Sequence, residues 1–289
     1  MKPYLSIRNL CVTLGNGAPI LRSVSLDISA GQVHGLVGES GAGKSMIGKA
    51  VLGTLPLALK VTGGQIWLDD IDLMRLPASE RRKRIGALAA LIPQDPLTAL
   101  NPSRRIGPQI TQRLVDILGW RKEASQARAL ELLKEVHIPD PIRVMRSYPH
   151  ELSGGMRQRI LIASAFAPNP KLIIADEPTT ALDVTVQKQI LRLIAEMQAR
   201  HGTALLYVTH DLGVVSKVCD TLSVLYAGKV VEEAQMRRFF MKPLHPYSAA
   251  LLAATPRHTD PDASLTPVPA SVIEAVELEV HQQDMRAEN

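Results

Sequence analysis

Gly38-Glu39-Ser40-Gly41-Ala42-Gly43-Lys44-Ser45 is the stretch whose residue types and spacing most constrain the chemistry of this chain. Enclosing a polyphosphate takes several backbone N–H groups turned toward one point, and glycines let a loop curl that tightly without Cβ clashes. A helix starting at Lys44 would add the positive end of its dipole. In such a loop the lysine, Lys44, reaches the β- and γ-phosphates of a nucleotide and the hydroxyl of Ser45 ligates Mg²⁺. The complementary half of a phosphate site is an acidic group at the end of a buried strand. Residues 172–175 are a continuous apolar run, closed by Asp176 and Glu177. Asp176 suits Mg²⁺, held through water because that ion keeps much of its hydration shell. Glu177, one residue on, is placed to accept a proton from attacking water. Alone, an Asp-Glu pair after a strand reads as a solvated turn; beside a phosphate loop it reads as function.

These groups need elements to hold them. Residues 5–14 are half-alternating and 24–28 alternate cleanly, which predicts strands; 32–37 predict a short buried strand feeding the glycine loop, and 44–52 a helix. Residues 64–69 are a further strand candidate, and 121–136 carry a helical pattern. Val186, Ile190, Leu193, Ile194 and Met197 share one helical face, and 204–208 predict another buried strand. Strands alternating with helices argue for an α/β fold around a mainly parallel sheet, with β-rich N-terminal additions and a helical insertion at about 95–165. After about Pro256 the composition shifts to Pro, Ala, Asp and Glu, which predicts a mobile tail.

The whole chain has 289 residues, 46% hydrophobic and 21% charged, enough to bury a full core as one large α/β domain or two smaller ones. Wholesale disorder and collagen-like repeats are excluded. The net charge is +5, unevenly placed: residues 257–289 hold two basic and seven acidic groups, so the tail carries −5 and the body +10. A basic body suits phosphate-bearing ligands or an anionic membrane surface. Ten aromatic residues disfavour a base-stacking nucleic-acid binder. Two distant cysteines, Cys11 and Cys219, exclude a disulfide scaffold and suit a reducing cytosol. No run of about 18 apolar residues suggests a membrane span, and the N-terminus lacks the apolar core of a signal peptide. Glu80-Arg81-Arg82-Lys83-Arg84 reads as a solvated helix face, and His34, inside a buried strand pattern, as structural.

Leu152-Ser153-Gly154-Gly155-Met156-Arg157-Gln158-Arg159 stands between the two half-sites, 24 residues ahead of Asp176. It resembles the signature motif of ATP-binding cassette (ABC) ATPases, and a serine with two glycines at a helix start is itself an anion-binding surface. The resemblance runs from about residue 5 to 256. It implies the P-loop ABC-type nucleotide-binding domain: a RecA-like, mainly parallel core, an N-terminal antiparallel β subdomain and an inserted helical subdomain. It implies that Ser153, Gly154 and Gly155 close on ATP held by an opposite subunit. Gln94 looks like the Q-loop glutamine, a sensor of Mg²⁺ or water; Thr180-Ala181-Leu182-Asp183 looks like the D-loop, and His210 like the switch histidine that contacts the γ-phosphate. Catalysis is thus expected of Glu177, His210, Gln94 and Lys44. Nucleotide binding is expected of Gly38, Glu39, Ser40, Gly41, Ala42, Gly43, Lys44, Ser45, Ser153, Gly154, Gly155 and Asp183, with Mg²⁺ held by Ser45, Gln94 and Asp176.

Residues 93–102, 148–151, 176–187 and 209–215, with His245-Pro246-Tyr247 followed by Leu251-Leu252, look like ATP-binding subunits of oligopeptide, dipeptide and nickel importers. That resemblance implies an ABC domain over 1–240 and a C-terminal extension with the acidic tail over 241–289. It also implies an ATPase energising import, of di- or oligopeptides first and of nickel or another small solute as the alternative. The implied partners are two transmembrane permeases, a second ABC ATPase (a homodimer being the other arrangement) and, indirectly, a solute-binding protein. The implied place is the cytoplasmic face of the plasma membrane, peripherally bound, with no nucleic acid. Leu14 occupies the place where the family carries an adenine-stacking aromatic, which leaves aliphatic packing, Tyr4 or another residue to substitute. No cysteine follows His245-Pro246-Tyr247, so no iron–sulfur cluster is expected. A soluble ABC ATPase acting on ribosomes or DNA would carry two cassettes or long coiled coils, and this chain has one cassette without sustained heptads. A catalytically dead subunit is disfavoured because every catalytic position is filled.

Overall fold

Leu5, Ile7, Leu10 and Val12 are fully buried along β1 (Pro3–Leu14), which pairs antiparallel with β2 (Pro19–Ser29). Val33, His34, Gly35, Leu36 and Val37 are all buried in β3 (Val33–Val37), as a strand covered on both faces must be. The loop after it leads into α1 (Lys44–Leu52), and β4 (Leu59–Leu68) and β5 (Ile71–Asp72) complete a four-stranded antiparallel sheet in the order β2-β1-β4-β5. The computed structural model describes residues 2–180, 182–255 and 268–287. The chain divides into two compact units, residues 1–74 with 207–289, and residues 75–206.

The second unit begins with α2 (Ala78–Leu88) and β6 (Ala89–Ile92) and continues through α3 (Pro96–Ala99), α4 (Ile106–Asp116), α5 (Lys122–Glu135), α6 (Pro141–Arg146) and α7 (Gly154–Phe166). Ile110 and Leu114 of α4, Leu132 and Leu133 of α5, and Ile160 and Phe166 of α7 are buried, so these amphipathic helices bury their apolar faces within the helical segment. β7 (Leu172–Asp176) runs parallel to β6 and is followed by α8 (Val184–His201) and β8 (Ala204–Val208). α8 buries Ile190, Leu193, Ile194 and Met197, as the spacing predicts; Val186 is only half-buried.

Back in the first unit, α9 (Leu212–Val218) leads to β9 (Thr221–Tyr226), parallel to β3, and to β10 (Lys229–Gln235), antiparallel to β9. α10 (Met236–Met241), α11 (Pro246–Ala254) and α12 (Ala270–Ala287) follow. The α/β class, the antiparallel N-terminal sheet, the parallel strand pairs and the helices between 96 and 166 match the expected architecture. The mobile tail does not: within 257–289, residues 270–287 form α12, whose Val276 and Val280 join Phe239 and Tyr247 in a buried core. Val272, Ile273, Val276 and Val280 make a helical stripe that the acidic composition disguised. Residues 241–255 and 268–287 belong to the same compact unit as residues 2–74. Residues 256–267 lie outside the described residues. No helix among the described residues is long and apolar enough to cross a membrane.

His34 is a satisfied core histidine. Its Nδ1 lies 2.8 Å from Thr221 Oγ1 and its Nε2 2.9 Å from Ser223 Oγ. Burial lowers its pKa from 6.5 to about 4. An unfolded His34 therefore binds a proton that the folded one refuses over that window, so stability is fully present above pH 6.5 and is lost as pH falls toward 4. The loss should approach about 1.4 kcal/mol per pH unit. Denaturant titrations from pH 7 to 4.5 should show that slope in the native chain and a flatter one in His34→Gln.

Candidate functional site

At Gly38 the loop after β3 has no room for a side chain. Gly38 has φ +153°, and a Cβ there would sit 2.1 Å from the Leu225 carbonyl oxygen. From below, the Gly228 N–H donates to Ala42 O at 2.9 Å, while Gly228 O accepts from Arg22 N at 2.8 Å. Gly228 itself has φ +82°, and a Cβ there would come within 2.2 Å of Ile20 O. The turn between β9 and β10 is thus the floor of the loop, and residue 228 must be glycine. Sequence reasoning passed over it because its partners lie about two hundred positions away in the chain.

Gly43 caps α1 with φ +99°, and Lys44 is its first residue. The Lys44 side chain is buried, and its ammonium donates to Gly38 O and Glu39 O, both at 2.8 Å. Glu39, Ser40 and Gly41 are exposed, and Ser45 is half-buried in the first turn of the helix. A buried cation, a helix N-terminus and a turn closed to side chains at Gly38 and Gly43 make a cradle suited to a phosphate chain. In the same unit His210 is exposed, between Thr209, whose N–H donates to Leu36 O at 3.1 Å, and Asp211, which caps α9 by accepting from Gly213 N at 2.8 Å. His210 thus follows the end of β8 between two hydrogen-bonded neighbours. Leu14 ends β1, half-buried, and Gly15 N donates to Ala58 O at 3.0 Å, next to the fully exposed Leu57. Tyr4 stands at the other end of β1, about 30 Å along the strand. It does not substitute for an aromatic at the Leu14 end, which is aliphatic.

In the second unit, Asp176 and Glu177 stand half-buried where β7 ends. Glu177 has φ +45°, a conformation a non-glycine residue adopts only when its surroundings impose it. Its carboxylate accepts at Oε2 from Gln94 Nε2 at 3.3 Å and from Thr180 Oγ1 at 3.0 Å. Gln94 and Glu177, 83 positions apart, are therefore brought together. Gln158, fully buried in α7, donates to Pro178 O at 2.8 Å and ties that helix to the segment carrying Glu177. Its motif was legible in the sequence, but not this role.

Ser153 caps α7 by accepting from Met156 N at 3.3 Å, with Gly154 and Gly155 in the first turn. Neither glycine has positive φ; among the described residues, a Cβ on Gly154 would meet nothing within 4 Å, and one on Gly155 would reach only ordinary contact with Val186 at 3.6 Å. Among the described residues, the chain's own packing does not require glycine here. It faces a recess of about 520 Å³ lined also by Arg159, Leu182 and Asp183. Asp183 caps α8, accepting from Thr185 N and Val186 N at 3.0 and 2.9 Å. Ala181 of the same loop lies outside the described residues.

The chain is similar to known proteins over most of its length. A family profile described as "ABC transporter" matches residues 21–180, and one described as "Oligopeptide/dipeptide transporter, C-terminal region" matches residues 231–280. The dipeptide transport ATP-binding protein DppD of Bacillus subtilis (strain 168) is 44% identical over 272 residues, spanning 93% of this chain and 81% of that protein. The probable D,D-dipeptide transport ATP-binding protein DdpD of Escherichia coli (strain K12) is 44% identical over 275 residues, 94% of this chain and 84% of that one. Among solved structures, cbiO1 from Clostridium perfringens, part of the ABC transporter complex cbiONQ, superposes with a TM-score of 0.73 at 25% identity, covering 84% of this chain and 92% of cbiO1. The ATP-binding cassette MJ0796, in a dimeric post-hydrolysis state bound to ADP and Pi, gives 0.70 at 28% identity, covering 81% and 99%.

Proposed function

This chain belongs to the ABC transporter family of ATP-binding proteins, and on that premise we propose that it hydrolyses ATP to drive import of di- or oligopeptides. The observation that carries the cargo class is the second profile match, over residues 231–280, beside relatives that are named for dipeptide and oligopeptide transport. Nickel is the competing cargo, from the same subfamily resemblance.

The residue roles belong to the same proposal. The loop N–H groups of residues 38–45 and Lys44 bind the phosphates. Ser45, Gln94 and Asp176 offer oxygen donors only, the set that suits Mg²⁺. When bound, that ion neutralises phosphate charge. Glu177 orients water and takes its proton, and His210 stabilises charge on the terminal phosphate. Ser153, Gly154 and Gly155, with Asp183 beside them, serve the nucleotide of a second ABC ATPase, a related chain or a second copy.

Two permeases at the cytoplasmic face of the plasma membrane, supplied by a solute-binding protein, complete the assembly. Their cytoplasmic helices are assigned to the helical segment 95–165. There α4, α5 and α6 leave a recess of about 600 Å³, lined by Val115, Leu130, Ile142 and Met145 beside Arg104 and Arg146.

Uptake tests the cargo. Cells lacking the native chain and supplied with it, or with Glu177→Gln, should differ in accumulation of labelled dipeptides at least tenfold and not in accumulation of radioactive nickel. The reverse pattern would replace peptides with nickel as the cargo.

A further inference from the structure

The floor of the phosphate loop is itself held by the C-terminal helix. Two acidic residues of α12, Glu277 and Asp284, reach the two sides of the turn between β9 and β10. On one side, Tyr226 Oη donates to Glu277 Oε1 at 3.2 Å. Tyr226 follows Leu225, whose carbonyl oxygen presses on Gly38. The Tyr226 ring also packs edge-on against Tyr247, centroids 4.7 Å apart, and Tyr247 is fully buried. Burial first, and the nearby Glu39 carboxylate after it, push the pKa of the Tyr247 hydroxyl up. On the other side, Asp284 pairs with Arg22 and lies 3.7 Å from Lys229 Nζ. Arg22 N donates to Gly228 O, Lys229 is the next residue in the chain, and Gly228 N donates to Ala42 O in the loop.

We propose that α12 braces the phosphate loop, with Glu277 and Asp284 acting as positioning residues that set ATP affinity through the turn at 225–229. Neither residue touches the loop itself. Glu277 is exposed and the Asp284 side chain is 26% exposed, so their polar contacts add little to global stability. The anchoring of α12 comes instead from Val276 and Val280 in the core. Loss of the two contacts would leave the helix docked but free the turn to shift under Gly38 and Ala42. A loop whose donors must converge on one phosphate chain loses affinity when its floor moves by a fraction of an ångström.

The inference rests on reading residues 38–45 as the ATP cradle. Its test is the ATP dissociation constant of the full chain with Glu277→Ala and Asp284→Ala combined, measured beside the native chain and the conservative pair Glu277→Gln and Asp284→Glu. The expected result is affinity weakened about tenfold in the alanine pair, an unfolding temperature within about 3 °C of native, and most of the affinity restored by the conservative pair. Native-like affinity in the alanine pair would overturn the brace, as would a loss that the conservative pair shares in full. Failure of the native chain to bind ATP would overturn the loop reading and the brace together, which separates that result from the other two.

Discussion

Glu177→Gln should lower the ATPase rate by about 10²- to 10⁴-fold, the range a positioned general base contributes, while leaving ATP binding intact. The substitution isolates proton transfer from geometry. Both Gln94 Nε2 and Thr180 Oγ1 donate to a single oxygen of Glu177, and a glutamine amide oxygen accepts in the same place. The strained backbone at φ +45° needs no further change, since the side chain keeps its length and shape. The negative charge is lost, and with it the capacity to take a proton from water. Because the phosphate loop and Lys44 are untouched, ATP should still draw two ABC subunits together, and the closed dimer should persist for want of hydrolysis. Steady-state phosphate release, equilibrium ATP binding and size-exclusion chromatography with ATP would read the three expectations separately. A variant turning over at the native rate would remove Glu177 as the base.

The same strand end shows what a sequence can carry. Features determined within one stretch of chain were legible: the strand–loop–helix unit at 33–52, with α1 beginning at Lys44 as predicted, the buried strand 204–208, and the helical stripe from Ile190 to Met197. His34 read as structural, and its two hydroxyl partners, Thr221 and Ser223, explain why it can be buried. What escaped depends on partners far away in the chain. β10 carries Glu232 and Glu233, which look like solvent-facing charges. Yet Glu232 is buried, accepting from Leu244 N and His245 N, both at 2.9 Å, and those bonds hold its pKa below the usual range against the opposing effect of burial. Gly228 is one glycine among nineteen until the Ile20 backbone is seen against it. α12 was hidden by its own composition: a helix that is acidic on its outer face needs only one apolar stripe, and that stripe matters only once Phe239 and Tyr247 are in place to receive it.

Gly154→Asp carries the argument for a second subunit. Position 154 opens α7, its backbone needs no glycine, and no described residue comes within 4 Å of a Cβ there. An aspartate in the first turn of a helix is favourable, by about 0.3–1 kcal/mol, because it meets the positive end of the dipole. The Ser153 cap on Met156 N is unaffected. By the chain's own physics the variant should fold as well as the native protein or slightly better, and it should bind ATP at its own loop with native affinity. Hydrolysis is a different matter. If this surface receives the phosphate of a nucleotide held by another subunit, the new carboxylate places a negative charge where an anion must dock. The rate should then fall by about 10²- to 10³-fold, the cost of losing a preorganised oxyanion contact. Thermal unfolding, ATP binding and phosphate release, measured on one preparation, separate the two interpretations. Unchanged stability and binding with lost turnover means that the empty space at Gly154 is kept for a partner's ATP; native turnover would mean that Ser153, Gly154 and Gly155 are only a helix cap.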